Sequence, residues 1–266
     1  MANSNVLIVS CPRSGTHKLG TFFSESGYFY LREAYTHLYQ NKNRPFIPDP
    51  AIDNWLNNMV RSSPVPVCLK VWLSQIYSPT LRVALTDKQL LNKFSNTVYL
   101  YRKNGLDIAS SQTLARAKNV WTANADLKKD KIYLKPIQAS EEDFDNALKE
   151  VFEQWYDFVT IPTHKTENEI WITYEDDIPS LKIDETENTE MPDKKSIISN
   201  WKNLEDIYNS KWAKKYNDLT EEIERRRSKT TNQWKALKAQ TLILNSQTLK
   251  SLNALSFKNL EKSLKF

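Results

Sequence analysis

Four consecutive apolar residues, Val6-Leu7-Ile8-Val9, run straight into the turn Ser10-Cys11-Pro12-Arg13-Ser14-Gly15-Thr16. No other stretch constrains the fold as much. A short unbroken apolar run predicts a strand buried on both faces, as in a parallel sheet. Leu19, Phe22 and Phe23 follow at helical spacing, so Thr16 to Ser26 reads as a helix. Strand, tight loop and helix in direct succession make an anion site, because a helix N-terminus presents unpaired N–H groups and partial positive charge. Arg13 adds a guanidinium whose fork matches phosphate or sulfate oxygens. Ser14 and Thr16 add hydroxyl donors. Gly15 permits close backbone approach, and the chain has only four glycines to place.

The rest of the pattern extends the same architecture. Apolar runs predict strands at Pro66 to Leu73, Thr97 to Tyr101 and Ile170 to Tyr174. A helix is expected from about Leu106 to Ala117, and another from Glu141 to Val159 with Phe144, Leu148, Val151, Phe152 and Trp155 on one face. Strands alternating with helices predict an α/β fold, a parallel β-sheet flanked by helices. Residues 122–140 and 182–195 read as loops. From Trp201 onward the pattern is helical, with a C-terminal extension from about Leu237. The expected organisation is an α/β domain over residues 1–208, with a helical region over 209–266 packing on it.

Composition narrows the function classes. The net charge is +5 and the pI about 8.9, with the excess in the C-terminal third. That suits either a solvated helical surface or attraction of a polyanionic ligand. With no stacked-aromatic RNA motif and no zinc-finger spacing, a nucleic-acid partner is not expected. Cys11 and Cys68 lie in or next to apolar runs and read as buried free thiols of a reducing compartment. No signal-peptide pattern and no run of roughly 20 apolar residues is present, so a cytoplasmic protein without a membrane span is expected. Three His and two Cys without a close cluster predict no metal site.

The anion loop is not of the Walker type, which separates a Gly by four residues from Gly-Lys-Ser/Thr. Position 10 is Ser, and Gly15 is followed by Thr16-His17. A second motif follows the strand "TVYLY": Arg102-Lys103-Asn104-Gly105-Leu106-Asp107-Ile108-Ala109-Ser110-Ser111. Here an arginine and a serine eight or nine residues on flank a polar turn, and could meet one dianion from two sides. The bland readings are an ordinary Ser/Gly cap for the first motif and a basic helix start for the second.

In this order, and each after a buried strand, "PRSGT" and "YRKNGLDIASS" resemble the two phosphate-binding motifs of sulfotransferases that use 3′-phosphoadenosine 5′-phosphosulfate (PAPS) and release the bisphosphate PAP. The resemblance covers residues 5 to about 208, is weak over 39–66 and 118–140, and is closest to the prokaryotic and phage-type branch. It implies a P-loop-like sulfotransferase fold and sulfuryl transfer to an acceptor hydroxyl or amine by in-line displacement, without a metal. Arg13, Ser14, Gly15, Thr16, His17 and Lys18 would serve the 5′-phosphosulfate. The 3′-phosphate would be held by Arg102 with Ser110, or by Lys103 with Ser111. "WITYEDDI" resembles the "YEDL" after a late strand of this superfamily, a structural element. "SIISNWKNLEDIY" is similar to the segment that closes the nucleotide site in prokaryotic members. Arg227, in the basic run Arg225 to Lys229, is either a further phosphate contact or part of a solvated face.

Charge builds on the leaving phosphate during such a transfer, and the acceptor loses a proton. Arg13 fits the leaving side as an electrostatic group only, since an arginine does not give up its proton. Many relatives place the base histidine in "K-x-H". The matching residues here are Lys70-Val71-Trp72, with Trp in place of His. Lys70 would reach the sulfuryl group or hold a structural ion pair. By comparison with other branches, Glu33 in "YFYLREAYTHLY" is the expected base and His37 its rival. The acceptor, a small molecule, carbohydrate or lipid, would be met by the loops 39–66 and 118–140, whose Phe46, Trp55 and Trp121 suit a sugar or an apolar alcohol. The sequence leaves the oligomeric state open. A degenerate P-loop nucleotide kinase and a non-catalytic nucleotide-binding relative are the alternatives.

Overall fold

A computed structural model describes residues 5–31, 58–73, 77–78, 83–84, 94–118, 135–160, 168–181 and 193–252, with side chains to 242 in the last of these. The first apolar run forms β1 (Val6–Ser10), wholly buried, and the turn after it opens α1 (Thr16–Glu25). A short β2 (Phe29–Leu31) follows, then β3 (Val67–Trp72). A two-stranded antiparallel ribbon, β4 (Tyr77–Ser78) and β5 (Val83–Ala84), stands apart from the main sheet. Next come β6 (Asn96–Tyr101), α2 (Gly105–Lys118), α3 (Glu141–Thr160) and β7 (Glu169–Thr173). Three short helices, α4 (Tyr174–Asp177), α5 (Lys194–Ile197) and α6 (Trp201–Ile207), lead through a π-helical turn at Tyr208–Trp212 into α7 (Ala213–Leu252).

The five long-range strands form one parallel sheet in the order β2-β3-β1-β6-β7. The α/β class with a parallel sheet and flanking helices is therefore as expected. Side chains alternate across the pleat. Val6, Ile8, Cys68, Val98, Leu100, Ile170 and Ile172 pack with Leu19, Phe22 and Phe23 of α1 on one face. Leu7, Val9, Leu69, Val71, Tyr99, Tyr101 and Trp171 pack with Ile108 of α2 and Val151, Trp155 and Phe158 of α3 on the other. The buried stripe of α3, at Phe144, Ala147, Leu148, Val151, Trp155 and Phe158, keeps the three-and-four spacing of a core-facing helix. Each large apolar side chain buried in this way contributes about 1.5–3 kcal/mol.

The chain leaves β1 toward β2 on one side, and after β3 it passes back beyond β1 to β6. This reversal sets the carboxyl ends of β1 and β6 side by side, with Ser10 opposite Leu100. Ligands of open α/β sheets sit outside the carboxyl ends at such a reversal.

The long α7, about 60 Å at 1.5 Å per residue, wraps the β7 edge of the sheet. Leu219 and Ile223 join the core on the α3 face, whereas Trp234 and Leu237 join the core on the α1 face. Between them α7, together with α4, covers part of the open strand edge. The Trp171 N–H donates to Thr230 Oγ1 at 2.9 Å, and the next outward N–H, of Thr173, donates to Asp177 Oδ2 at 2.9 Å. Arg226 donates to the Val159 carbonyl at 2.7 Å and lies over the Trp171 ring at 5.2 Å. A sheet edge covered in this way offers fewer ladder groups to another strand. Among the described residues no helix is long and apolar enough to cross a membrane.

Candidate anion-binding site

The loop between β1 and α1 bends through two left-handed residues, Arg13 at φ 67° and Gly15 at φ 81°. Successive turns of this kind aim backbone N–H groups into one concavity, which suits an anion. Arg13 holds its positive φ without glycine's freedom, a conformation costing about 1–3 kcal/mol that persists only when its surroundings fix it. They do: Arg102 Nη1 donates to the Arg13 carbonyl at 3.0 Å, and Arg13 Nε donates to Ser111 Oγ at 3.1 Å. Gly15 is required twice over. Its φ disfavours a side chain, and a Cβ would stand 2.2 Å from two ring atoms of Tyr174.

Tyr174 is the other wall. Its ring packs against Gly15 and stacks on the Arg102 guanidinium at 4.5 Å. Glu175 accepts from the backbone N–H groups of Lys103 and Asn104 at 3.0 and 3.2 Å. Asn104 then caps α2, its Oδ1 accepting from the Asp107 N–H at 3.0 Å. The "YEDD" segment thus fixes the turn after β6 from outside.

Arg102 pairs with Asp107, and Asp107 also holds Lys194 of α5. Lys194 donates in addition to the Asp107 carbonyl at 2.8 Å. Arg13, Arg102 and Lys194 thereby form a chain of contacts through the Arg13 carbonyl and Asp107. Burial, reinforced by Arg102 and Arg13, lowers Lys194 to about 7, with Asp193 acting in the opposite sense. Burial also lowers Arg102, with Tyr174 and Glu175 pulling it back up. Ser14 Oγ and Arg102 Nε are buried without a hydrogen-bond partner among the described residues. Buried polar atoms left unpaired cost about 1–3 kcal/mol each, so both invite an anion that satisfies them.

The structure therefore joins Arg13, Ser14, Gly15, Thr16, Arg102 and Ser111. Thr16 is buried at the start of α1, where His17 is exposed and Lys18 partly so. Of the two clasp registers, neither is met as a whole. Lys103 turns away to Asp176 and Glu224, at 2.7 and 2.6 Å. The Ser110 hydroxyl bonds back to the Asp107 carbonyl at 3.2 Å. Arg102 reaches the Arg13 carbonyl, and Ser111 accepts from Arg13, so these two meet at the loop after β1 rather than with each other.

Arg227 is engaged elsewhere. It grips Asp177 (2.7 Å), Asp176 (3.0 Å) and Glu224 (3.0 Å), tying α7 to α4. Its Asp177 and Glu224 partners raise it further above the ordinary arginine range. As a phosphate contact it does not join the cluster, because three carboxylates already surround it.

Lys70 is buried on β3, with Nζ 3.7 Å from the centroid of Trp72. Trp72 lies opposite Ser10, level with the anion loop. Glu33 and His37 lie outside the described residues, as do Phe46, Trp55 and Trp121. Cys11 and Cys68 are buried free thiols, and burial pushes both upward. Among the described residues no group of three or more His, Cys, Asp or Glu could hold a metal ion.

Two members of the cluster escape a reading of the sequence. Asp107 sits within the second motif but carries no obvious task there. Lys194 falls at the end of a polar stretch read as loop. Asp193 holds the one local signal, because its side chain accepts from the Lys195 N–H and starts a helical turn. No protein-family model matches this chain, and no curated protein matches it.

Proposed function

We propose that the chain is a sulfotransferase that takes a sulfuryl group from PAPS to an acceptor hydroxyl or amine. The observation that carries this reading is the hydrogen bond from Arg13 to Ser111. It joins the loop after β1 and the clasp after β6 into one basic cradle, as a donor with phosphates at both its 5′ and 3′ positions requires.

The residues present fit such a donor. The N–H groups of the loop after β1, the unpaired Ser14 hydroxyl and the Arg13 and Arg102 cations converge at the carboxyl ends of two neighbouring strands. Ser14, Thr16 and the loop N–H groups would hold the 5′ end, and Arg102 with Ser111 the 3′-phosphate. When bound, the donor supplies an activated sulfuryl group with a phosphate leaving group. Arg13 stabilises negative charge on the leaving side without transferring a proton. Lys70, stacked on Trp72, would serve as a cation near the carboxyl edge. Glu33, or His37, would take the acceptor's proton. The acceptor is a small molecule, carbohydrate or lipid, and the reaction needs no metal.

The test is calorimetric titration with PAP in the absence of Mg²⁺, beside transfer of labelled sulfate from PAPS to panels of carbohydrates, lipids and phenols. Losing a charge-assisted hydrogen bond costs about 1.5–3 kcal/mol, so Arg13→Ala should weaken PAP binding roughly ten- to a hundredfold. Unchanged binding and turnover in that variant overturn the loop assignment. Binding of ATP only with Mg²⁺, and none of PAP, would instead indicate a nucleotide kinase.

A further inference from the structure

We infer that Lys194 governs the anion affinity of the cradle by taking up the charge of Asp107, which otherwise neutralises Arg102. This rests on the reading of the cradle as a donor site, and it concerns a residue outside both motifs.

The geometry is specific. Asp107 is bound from one side by Arg102 and from the other by Lys194. Lys194 belongs to α5, which Asp193 starts, and its ammonium also reaches the backbone of α2 at the Asp107 carbonyl, 2.8 Å away. Both side chains are mostly buried, at 14% and 25% exposure, so solvent screens their charges only in part.

With Lys194 charged, the trio Arg102, Asp107 and Lys194 carries a net positive charge that adds to Arg13. With Lys194 neutral, Asp107 cancels Arg102, and the trio adds no net charge to the site. One proton on one amine therefore changes the charge of the site by a full unit.

That proton is held loosely. Burial and the neighbouring guanidinium groups bring Lys194 to about 7, within the working range of most cells. The groups facing it are Asp107 of α2, Arg102 of the turn after β6, Arg13 of the loop after β1 and Asp193 of its own segment. A bound dianion favours the charged amine, so ligand binding takes up a proton above neutral pH. Linkage then limits the effect to about a tenfold loss of affinity per pH unit.

Above pH 7 the phosphates of PAP, with a second ionisation near about 6, are already fully charged. Any fall in affinity there belongs to the protein. The experiment titrates PAP at pH 7, 8 and 9 into the wild-type chain, Lys194→Gln and Lys194→Arg, with circular dichroism as the check of folding.

The wild type should weaken as pH rises, approaching tenfold per unit. Lys194→Gln should bind at least tenfold more weakly at pH 7 and show no slope. Lys194→Arg, permanently charged, should stay tight and flat. Wild-type affinity in Lys194→Gln, or a wild-type slope in Lys194→Arg, overturns the inference. If Lys194→Gln does not fold, the Lys194→Arg profile decides alone.

Inorganic sulfate, a dianion throughout this range, is titrated in parallel. Sulfate binding with the Lys194-dependent slope, but no binding of PAP, keeps the inference and rejects the sulfonucleotide reading. PAP binding that ignores Lys194 does the reverse. Failure of both probes to bind the wild type overturns both.

Discussion

Replacing Gly15 by alanine should destabilise the protein through two separable effects, and Tyr174 allows them to be separated. The first effect is backbone strain: φ is 81°, and a residue with a Cβ pays about 1–2 kcal/mol there. The second is steric. The new Cβ would stand 2.2 Å from two carbons of the Tyr174 ring, whereas carbons rest at about 3.5–4.0 Å. The ring must retreat by more than an ångström, and behind it lies Arg102, stacked at 4.5 Å. Forced displacement in a packed region costs about 1–3 kcal/mol. Gly15→Ala alone should therefore lose about 2–5 kcal/mol, the sum of both effects. In a Tyr174→Ala background the ring is gone and only the strain remains, about 1–2 kcal/mol. Urea unfolding of the four proteins in this cycle gives the coupling, expected at about 1–3 kcal/mol. A coupling within about 0.5 kcal/mol of zero, the usual limit of additivity, would refute the claim that Tyr174 braces the loop.

Two further outcomes follow from the packing and the charges. Thr230→Val nearly keeps the volume at the sheet edge but strands the Trp171 N–H, so chemical denaturation should show a loss of about 1–2 kcal/mol that Thr230→Ser restores. Lys194 binds its proton less tightly folded than unfolded, at about 7 against 10.5. The ligand-free protein then holds fewer protons than its unfolded chain across that window. Stability attributable to Lys194 rises with pH there, by at most about 1.4 kcal/mol per unit. Subtracting the pH profile of Lys194→Met from that of the wild type isolates it, and a difference that falls with rising pH contradicts the sign.

Much of the frame is legible in the sequence because burial on both faces of a parallel strand leaves an unbroken apolar signature. β1, β6 and β7 each carry one, β3 carries one interrupted by Lys70, and the structure places all four within a residue or two of the expected bounds. β2 carries no such signature. It has three residues, Phe29 and Tyr30 only partly buried, so neither length nor pattern announces it. The loop after β1 is readable because its signal is local: turn residues, hydroxyls and cation lie within six residues. The clasp is only half readable, since Lys103 or Arg102 could face inward by spacing alone. Asp176 and Glu224, far along the chain, decide that Lys103 faces out. Arg227 is misleading for the same reason, because a basic run does not reveal that Asp176, Asp177 and Glu224 will surround one of its members. Lys194 is hidden because its partner Asp107 is 87 residues away.

The path of α7 bears on the order in which the molecule is completed during synthesis. Residues of the sheet emerge from the ribosome first, and the nascent β7 edge, with its Trp171 and Thr173 N–H groups, is then bare to any passing strand. Asp177 can cover one of these groups at once, being four residues away, but Thr230 must wait for dozens more to be made. The same late segment brings Arg227 and Glu224, which lock Asp176, Asp177 and Lys103 in place. A nascent chain lacking α7 would therefore leave the turn after β6 loosely held, and with it the Arg102 contact that fixes the loop after β1. Ribosome-stalled chains of increasing length should thus acquire anion affinity late, together with resistance to aggregation.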